Sequence, residues 1–319
     1  MKKARVKKSA KVVVIGGGTG VFTVLSGLKR YPLELSAVIS MADDGGSTGI
    51  LREEFGILPP GDVRRALVAL SASDDRLLAD LFSYRFEEGG LKGHSFGNIM
   101  LTALERITGS FESAVEEAGR ILGAGGRVIP VTLSNVQLIA KLEDGSVIEG
   151  ETNIDIPKHD PRLKISEVFL RPEARANERA TEAIKSADLV VIGPGDLYTS
   201  VVPNLLVSGV VEAIRRTNAA IVYVVNIMTK SGETNGFAAA DFIKVVEQYL
   251  GKGVLDYSVI NTKHPTPDRL RYYEKESAEF VEFGDLPKKP TPIFGDFLRK
   301  RGFVRHDPER LAQTLVSLL

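Results

Sequence analysis

Two short runs, VVVI (Val12–Ile15) and LVVI (Leu189–Ile192), are apolar at every position, and each breaks directly into a glycine loop, GGGTG or GPGD. A strand with one wet face alternates polar and apolar residues. A run that is apolar throughout suits a strand covered on both faces, as in a parallel sheet between helices. Parallel strands need crossover connections, usually helical and right-handed. The first run supplies one: VFTVLSGLKRYP has helical spacing, stops at Pro32, and leads into the strand-like LSAVIS (Leu35–Ser40).

Helical spacing then continues through DVRRALVALS, RLLADLFSYRF, FGNIMLTALERITG and FESAVEEAGRILG, and GRVIPVT (Gly126–Thr132) reads as the next strand. VQLIAKLEDGSVIEGE predicts a hairpin turning at Asp144–Gly145, with LKISEVFLRP as a further strand beside it. Residues 132–172 therefore read as a small antiparallel insertion. Alternation resumes with ADLVVIGPG, VSGVVEAIRRT, AAIVYVVN, AADFIKVVEQYLG, LDYSVIN, PDRLRYYEKE and a closing helix in HDPERLAQTLVSLL. The expected fold class is α/β, a Rossmann-like doubly wound and mostly parallel sheet with that β insertion. A single domain is expected over residues 11–319, behind a basic, solvated tail at residues 1–10.

Lys plus Arg equals Asp plus Glu at 41 each, so there is no basic excess for nucleic acid. Cysteine is absent, which excludes disulfides, thiolate metal sites and a Cys nucleophile. The first apolar run is too short and glycine-rich for a signal peptide or membrane span. A cytoplasmic protein without membrane insertion is expected. Self-association is left open.

In open α/β sheets ligands bind beyond the C-terminal ends of strands, and several strand ends here carry unusual loops. Gly17, Gly18, Thr19 and Gly20 sit where a helix N-terminus would meet a phosphate. The spacing departs from G-x-G-x-x-G, since position 21 is Val, and no Walker lysine follows. Asp43 and Asp44 stand where a Rossmann acid would meet ribose. The Gly45-Gly46-Ser47 that follows suits an anion nest or a metal-bound phosphate better. Asp62 in PPGDVRRAL is a carboxylate that helix capping would also explain. Together these acids, with no nearby Lys, suggest a divalent cation. In GHSFGN, His94 is the best acid/base candidate of four histidines, and Asn98 could face a ligand. Gly193, Gly195, Tyr198 and Thr199 belong to a second glycine loop, and Asn226 ends the following strand.

GGGTG, MADDGGSTGILR, ILPPGDVRRALVAL, GHSFGN, IGPGDLYTSVVPNLLV, NIMTKSGETNGF and VRHDPERLA come in the order found in the YvcK-like gluconeogenesis factors of bacteria, which the chain resembles from Val12 to Leu319. The wider superfamily includes the CofD-type 2-phospho-lactate transferases of deazaflavin cofactor synthesis. The resemblance implies a Rossmann-like fold, UDP-sugar binding (notably UDP-N-acetylglucosamine), and a role in cell shape, wall synthesis and growth on gluconeogenic carbon. It implies UDP-sugar contacts at Tyr272, with Tyr273 adjacent, and at Arg305. By analogy with CofD-type enzymes, it also implies Mg²⁺ near Asp44 and Asp62. The alternative it carries is a transferase moving a phospho-organic group between a nucleotide and an acceptor. A nicotinamide-dependent oxidoreductase fits less well, because the fingerprint glycine is displaced. The chain departs from the family at Pro308, where some members have a phosphorylatable Thr, at Arg65, and at Asp196, where Ser is frequent.

Overall fold

The computed structural model describes residues 9–72 and 76–319. Residues 1–8 of the expected tail lie outside that range. Ala10 is not tail: it opens the first strand and is 1% exposed.

The strands are β1 (Ala10–Gly16), β2 (Leu33–Ile39), β3 (Gly126–Pro130), β4 (Gln137–Leu142), β5 (Val147–Glu149), β6 (Ile165–Arg171), β7 (Leu189–Ile192), β8 (Ala220–Val224), β9 (Tyr257–Asn261) and β10 (Thr291–Gly295). Seven of them form one parallel sheet in the order β10-β9-β8-β7-β1-β2-β3. The other three form an antiparallel sheet, β5-β4-β6. The α/β class is thus the expected one: a mostly parallel, Rossmann-like sheet with a small antiparallel addition.

The centre of the large sheet explains the sequence pattern that predicts it. Val12 pairs with Leu35 on one side and Leu189 on the other, and Ile15 with Val38 and Ile192. All six are 3% exposed or less, because helices cover both faces. The helix Gly18–Leu28 buries Val21, Val24, Leu25 and Leu28, the i, i+3, i+4, i+7 stripe of an amphipathic helix. Truncating a residue as fully buried as Leu25 to Ala costs about 2–5 kcal/mol.

Topology places the site. From β1 the chain builds outward through β2 and β3. After the small sheet it returns to the other flank of β1 as β7, and builds the opposite way through β8, β9 and β10. The order reverses between β1 and β7, and the two glycine loops leave those two strands side by side.

Three elements depart from the expected pattern. Much of the glycine-rich acidic stretch is helix, Gly46–Phe55, ending at the left-handed Gly56. A short helix, Glu151–Asp155, follows β5. The edge strand β10, TPIFG, is half-exposed, so it lacks the continuous apolar run that marks the central strands. Among the described residues, no helix is long and apolar enough to cross a membrane.

Candidate functional site

A cavity of about 960 Å³ opens at the carboxyl ends of the central strands. Its floor is made by the two glycine loops, which interlock. A Cβ on Gly20 would lie 1.9 Å from the Pro194 carbonyl oxygen, so only glycine lets the loops meet. Gly18 differs. Its φ is +62°, its nearest neighbour would be Ser200 Oγ at 3.6 Å, and it faces open space. The Gly18–Leu28 helix thus presents its N-terminal N–H groups to the cavity. Opposite, Gly195 N–H donates to Asn226 Oδ1 at 3.3 Å, which ties the second loop to the end of β8.

Asp62 lies in the first turn of the helix Pro60–Leu70, but Pro59 holds the cap position and Asp62 does not cap that helix. Its Oδ2 instead accepts the Gly18 N–H at 2.8 Å. Burial, and then the neighbouring Asp43 carboxylate, push the Asp62 carboxyl up to about 6. Asp43 accepts the Gly45 N–H at 3.0 Å and is also raised, chiefly by burial. Arg52 fixes this loop from behind, donating to the Asp43 carbonyl at 2.6 Å and the Val136 carbonyl at 2.8 Å.

Asp44 behaves otherwise. It does not line the cavity. Its two carboxylate oxygens accept the N–H groups of Glu151 (3.1 Å) and Thr152 (2.9 Å), so it caps the helix Glu151–Asp155 from a distant part of the chain. The acidic pair facing the cavity is therefore Asp43 with Asp62, rather than Asp44 with Asp62. Glu151 joins them on the rim, where burial and the surrounding carboxylates, Asp43 first, push its carboxyl up to about 9.

A second acidic group lies toward β7 and β8. Single oxygens of Asp155, Asp196 and Glu233 fall within 4.8 Å of one another. Lys230 answers them, with its ammonium 2.9 Å from Asp155 Oδ1. Burial disfavours that charge, but Asp196 and Asp155 outweigh burial and raise the lysine above its usual range. Glu233, 3% exposed, accepts the Tyr198 N–H at 3.0 Å and the Thr199 hydroxyl at 3.2 Å. Burial, then Asp196, push its carboxyl up to about 8.

The far wall is aromatic and basic. Tyr272 is 49% exposed and meets Phe303 edge-on at 5.3 Å, while the Arg305 guanidinium lies over that Phe303 ring at 5.3 Å. Tyr273 is occupied structurally, since its hydroxyl accepts the Val304 N–H at 2.9 Å. Tyr272 and Tyr273 both line the cavity, Tyr272 as the more exposed of the two. His306 is 6% exposed, and burial pushes its imidazole down to about 4.

Of the residues expected from sequence, Gly17, Gly18, Thr19, Gly20, Asp43, Gly45, Gly46, Ser47, Asp62, Asn98, Gly195, Thr199, Asn226, Tyr272 and Arg305 all line this one cavity. Gly193, Tyr198, Asp44 and His94 do not. Tyr198 is buried behind the second loop. His94 Nδ1 meets Ser47 Oγ at 3.0 Å, so the expected acid/base residue reaches the cavity wall through Ser47. Sequence reasoning missed Lys230 and Phe303. Phe303 stands two residues before Arg305, a spacing that keeps side chains on one side of an extended segment. For Lys230 no local signal exists, because its partner Asp155 is far away in sequence.

Glycine loops and carboxylates thus wall a cavity at the switch point of a Rossmann-like sheet, the place where open α/β folds bind ligands. A family profile described as 2-phospho-L-lactate transferase CofD matches residues 12–291. The gluconeogenesis factor of Bacillus subtilis (strain 168) is 42% identical over 97% of this chain and 98% of its own length. That of Listeria monocytogenes serovar 1/2a is 42% identical over 98% and 97%. A crystal structure of a Bacillus halodurans protein, 40% identical, superposes with a TM-score of 0.92 over 97% of this chain and all of the other. The chain belongs to the gluconeogenesis factors within the CofD family.

Proposed function

We propose that this protein binds a nucleotide sugar of the UDP-N-acetylglucosamine kind and regulates cell-wall synthesis, cell shape and gluconeogenic growth in the cytoplasm. The observation that carries the reading is the pairing of two ends in one cavity: glycine loops at one, Tyr272, Phe303 and Arg305 at the other. A ring face suits a base, and a guanidinium fork suits paired phosphate oxygens. Glycine N–H groups suit the remaining anionic part.

We further propose that Mg²⁺ accompanies the nucleotide between Asp43 and Asp62. The fit is chemical. Both are carboxylates on the cavity wall, each already held by a backbone N–H, and few protein oxygens suit an ion that keeps waters and borrows phosphate oxygens. Asp44 leaves the set, because its carboxylate is committed to the helix it caps. When bound, the ion would neutralise phosphate charge beside the Gly18 N–H.

The raised carboxyls of Asp62 and Glu151 favour a second reading, a transferase of CofD type. An acid poised near neutrality can give or take a proton at an acceptor. Turnover by purified protein with nucleotide, Mg²⁺ and candidate acceptors separates the two readings.

The binding test is thermal. A ligand at 100 times its dissociation constant stabilises by about 2.7 kcal/mol. With unfolding entropy of roughly 2.1 cal/mol/K per residue, 319 residues give a rise of about 4 °C in Tm. UDP-N-acetylglucosamine is expected to reach that rise, UMP less, and Arg305→Ala to remove most of it. A Tm unmoved by the UDP-sugar but raised by GDP or NAD would overturn the reading.

A further inference from the structure

The glycine loops, the carboxylates and the aromatic wall leave one group of cavity residues without a role. Arg64, Arg65 and Arg85 all line the cavity. Arg64 is 7% exposed and forms no ion pair within 4 Å with the described residues, although the Asp62 and Asp43 carboxylates are near enough to favour its charge. Its guanidinium is fixed in place, with Nε donating to Asn98 Oδ1 at 3.0 Å and Nη1 to the Phe82 carbonyl at 3.3 Å. The Asn98 amide in turn donates to Ser47 Oγ at 3.3 Å, and Ser47 is held by His94. This chain of side chains sets the angle of one guanidinium and leaves its Nη2 with no hydrogen bond to the described residues.

The neighbouring cations are no better paired. Arg85 bonds the Gly93 carbonyl and forms no ion pair with the described residues. Arg65 has only a 3.5 Å contact to Asp62 Oδ1. Clustered guanidinium groups repel one another, and one of these has given up its water. Such an arrangement costs free energy, which the Asp43 and Asp62 carboxylates offset in part and a bound anion would offset further. The same wall holds Gly45 and Gly46, where the helix Gly46–Phe55 begins with no side-chain cap of its own.

We propose that Arg64, Arg65 and Arg85 form a second anion subsite, which takes the phosphate group of a small phosphomonoester other than the nucleotide. Guanidinium forks match tetrahedral phosphate oxygens two at a time. The subsite adjoins the glycine-loop end through Asp62, which touches both Gly18 and Arg65. A regulator would use it to read a second metabolite, and a transferase would use it to hold an acceptor. The word "second" rests on the nucleotide-sugar reading; the arginine site itself does not.

Inorganic phosphate is the probe. It is titrated calorimetrically into wild type, into Arg85→Ala and into Arg85→Ala with Arg65→Ala, each with and without saturating UDP-N-acetylglucosamine and Mg²⁺. Hydrogen bonds to a charged group are each worth roughly a tenfold change in affinity. The expected result is phosphate binding in wild type in both conditions, weakened about tenfold by Arg85→Ala and further by the double change. Arg85→Lys recovers part of the loss, and the UDP-sugar rise in Tm persists in Arg85→Ala. Phosphate affinity unmoved by the changes overturns the proposal. So does phosphate displaced by the UDP-sugar, which would assign these arginines to the nucleotide's own phosphates, and so does acetate binding as tightly as phosphate. If the UDP-sugar produces no rise in Tm at all, the nucleotide reading fails, and the titrations without it still decide the arginine site.

Discussion

The cavity has two acidic groups, and they do opposite work. Asp155, Asp196 and Glu233 are closed among themselves, because Lys230 reaches Asp155 at 2.9 Å and Glu233 is bonded to the Tyr198 N–H and the Thr199 hydroxyl. That group joins the loop after β7 to the loop after β8 and to the helix Glu151–Asp155. Asp43 and Asp62 have no lysine. Their partners are backbone N–H groups at the starts of two helices, the Thr48 side chain on Asp43, a 3.5 Å contact from Arg65 to Asp62, and the nearby charges of Arg52 and Arg64. One acidic group carries its own cation and is a structural joint. The other is met by arginines and backbone N–H groups, and is where we propose that a cation enters with the nucleotide. Acidic residues close in space are therefore poor guides to a metal until their cations are found.

The largest test of this contrast removes the structural cation. Lys230→Met leaves the carboxylates around Glu233 unpaired, and breaking a buried pair costs about 3–5 kcal/mol. Because Lys230 is 34% exposed, about 2 kcal/mol is expected here. Urea unfolding at pH 8 measures it. Unchanged stability with lost nucleotide binding would show that Lys230 serves a ligand, and the contrast would break.

A further effect follows from protonation. Folding raises the Glu233 carboxyl from an ordinary 4.5 to about 8, mainly by burial. The folded state then binds the proton more tightly than the unfolded state. Stability contributed by this group is fully present below about 4.5 and is lost as pH rises through 8. Unfolding free energies between pH 5 and pH 9 trace it, and Glu233→Gln is expected to flatten the slope. A profile of equal slope in the variant assigns the titration elsewhere.

The smallest effects sharpen the other acidic group. Asp62→Asn and Asp44→Asn remove one charge each from residues on opposite sides of one loop. Asp62→Asn is expected to weaken nucleotide with Mg²⁺ about tenfold, a loss of about 1.4 kcal/mol, and to leave stability little changed. Asp44→Asn is expected to cost about 1 kcal/mol of stability, as a damaged helix cap does, with binding intact. Calorimetry with and without EDTA, beside melting curves, reads both. The reverse assignment of effects would restore Asp44 as the ion's ligand.

The sequence by itself determined the sheet, the loops and part of the cavity wall. Continuous apolar runs such as VVVI and LVVI are local signals of strands buried on both faces. Glycine loops at their ends mark where a helix N-terminus opens toward a ligand, which is why Gly17 to Gly20 and Gly195 were legible as site residues. The hairpin at Asp144–Gly145 was legible for the same local reason, with Gly145 at φ +87° in the turn. Only the tertiary structure decided which of two adjacent residues faces the cavity. Asp43 and Asp44 are chemically equal in the sequence, yet backbone N–H groups more than a hundred residues away claim Asp44 and leave Asp43 at the wall. Tyr272 and Tyr273 both line the cavity, but only the structure shows that the Val304 N–H bonds the hydroxyl of the second. Lys230 and Asp155 meet only because the fold brings distant strand ends to one edge, and Arg85 joins Arg64 and Arg65 through the packing of helices within one connection. A period of 2 or 3.6 fixes the direction of side chains within an element. It carries no information about which charge from another element will stand opposite them.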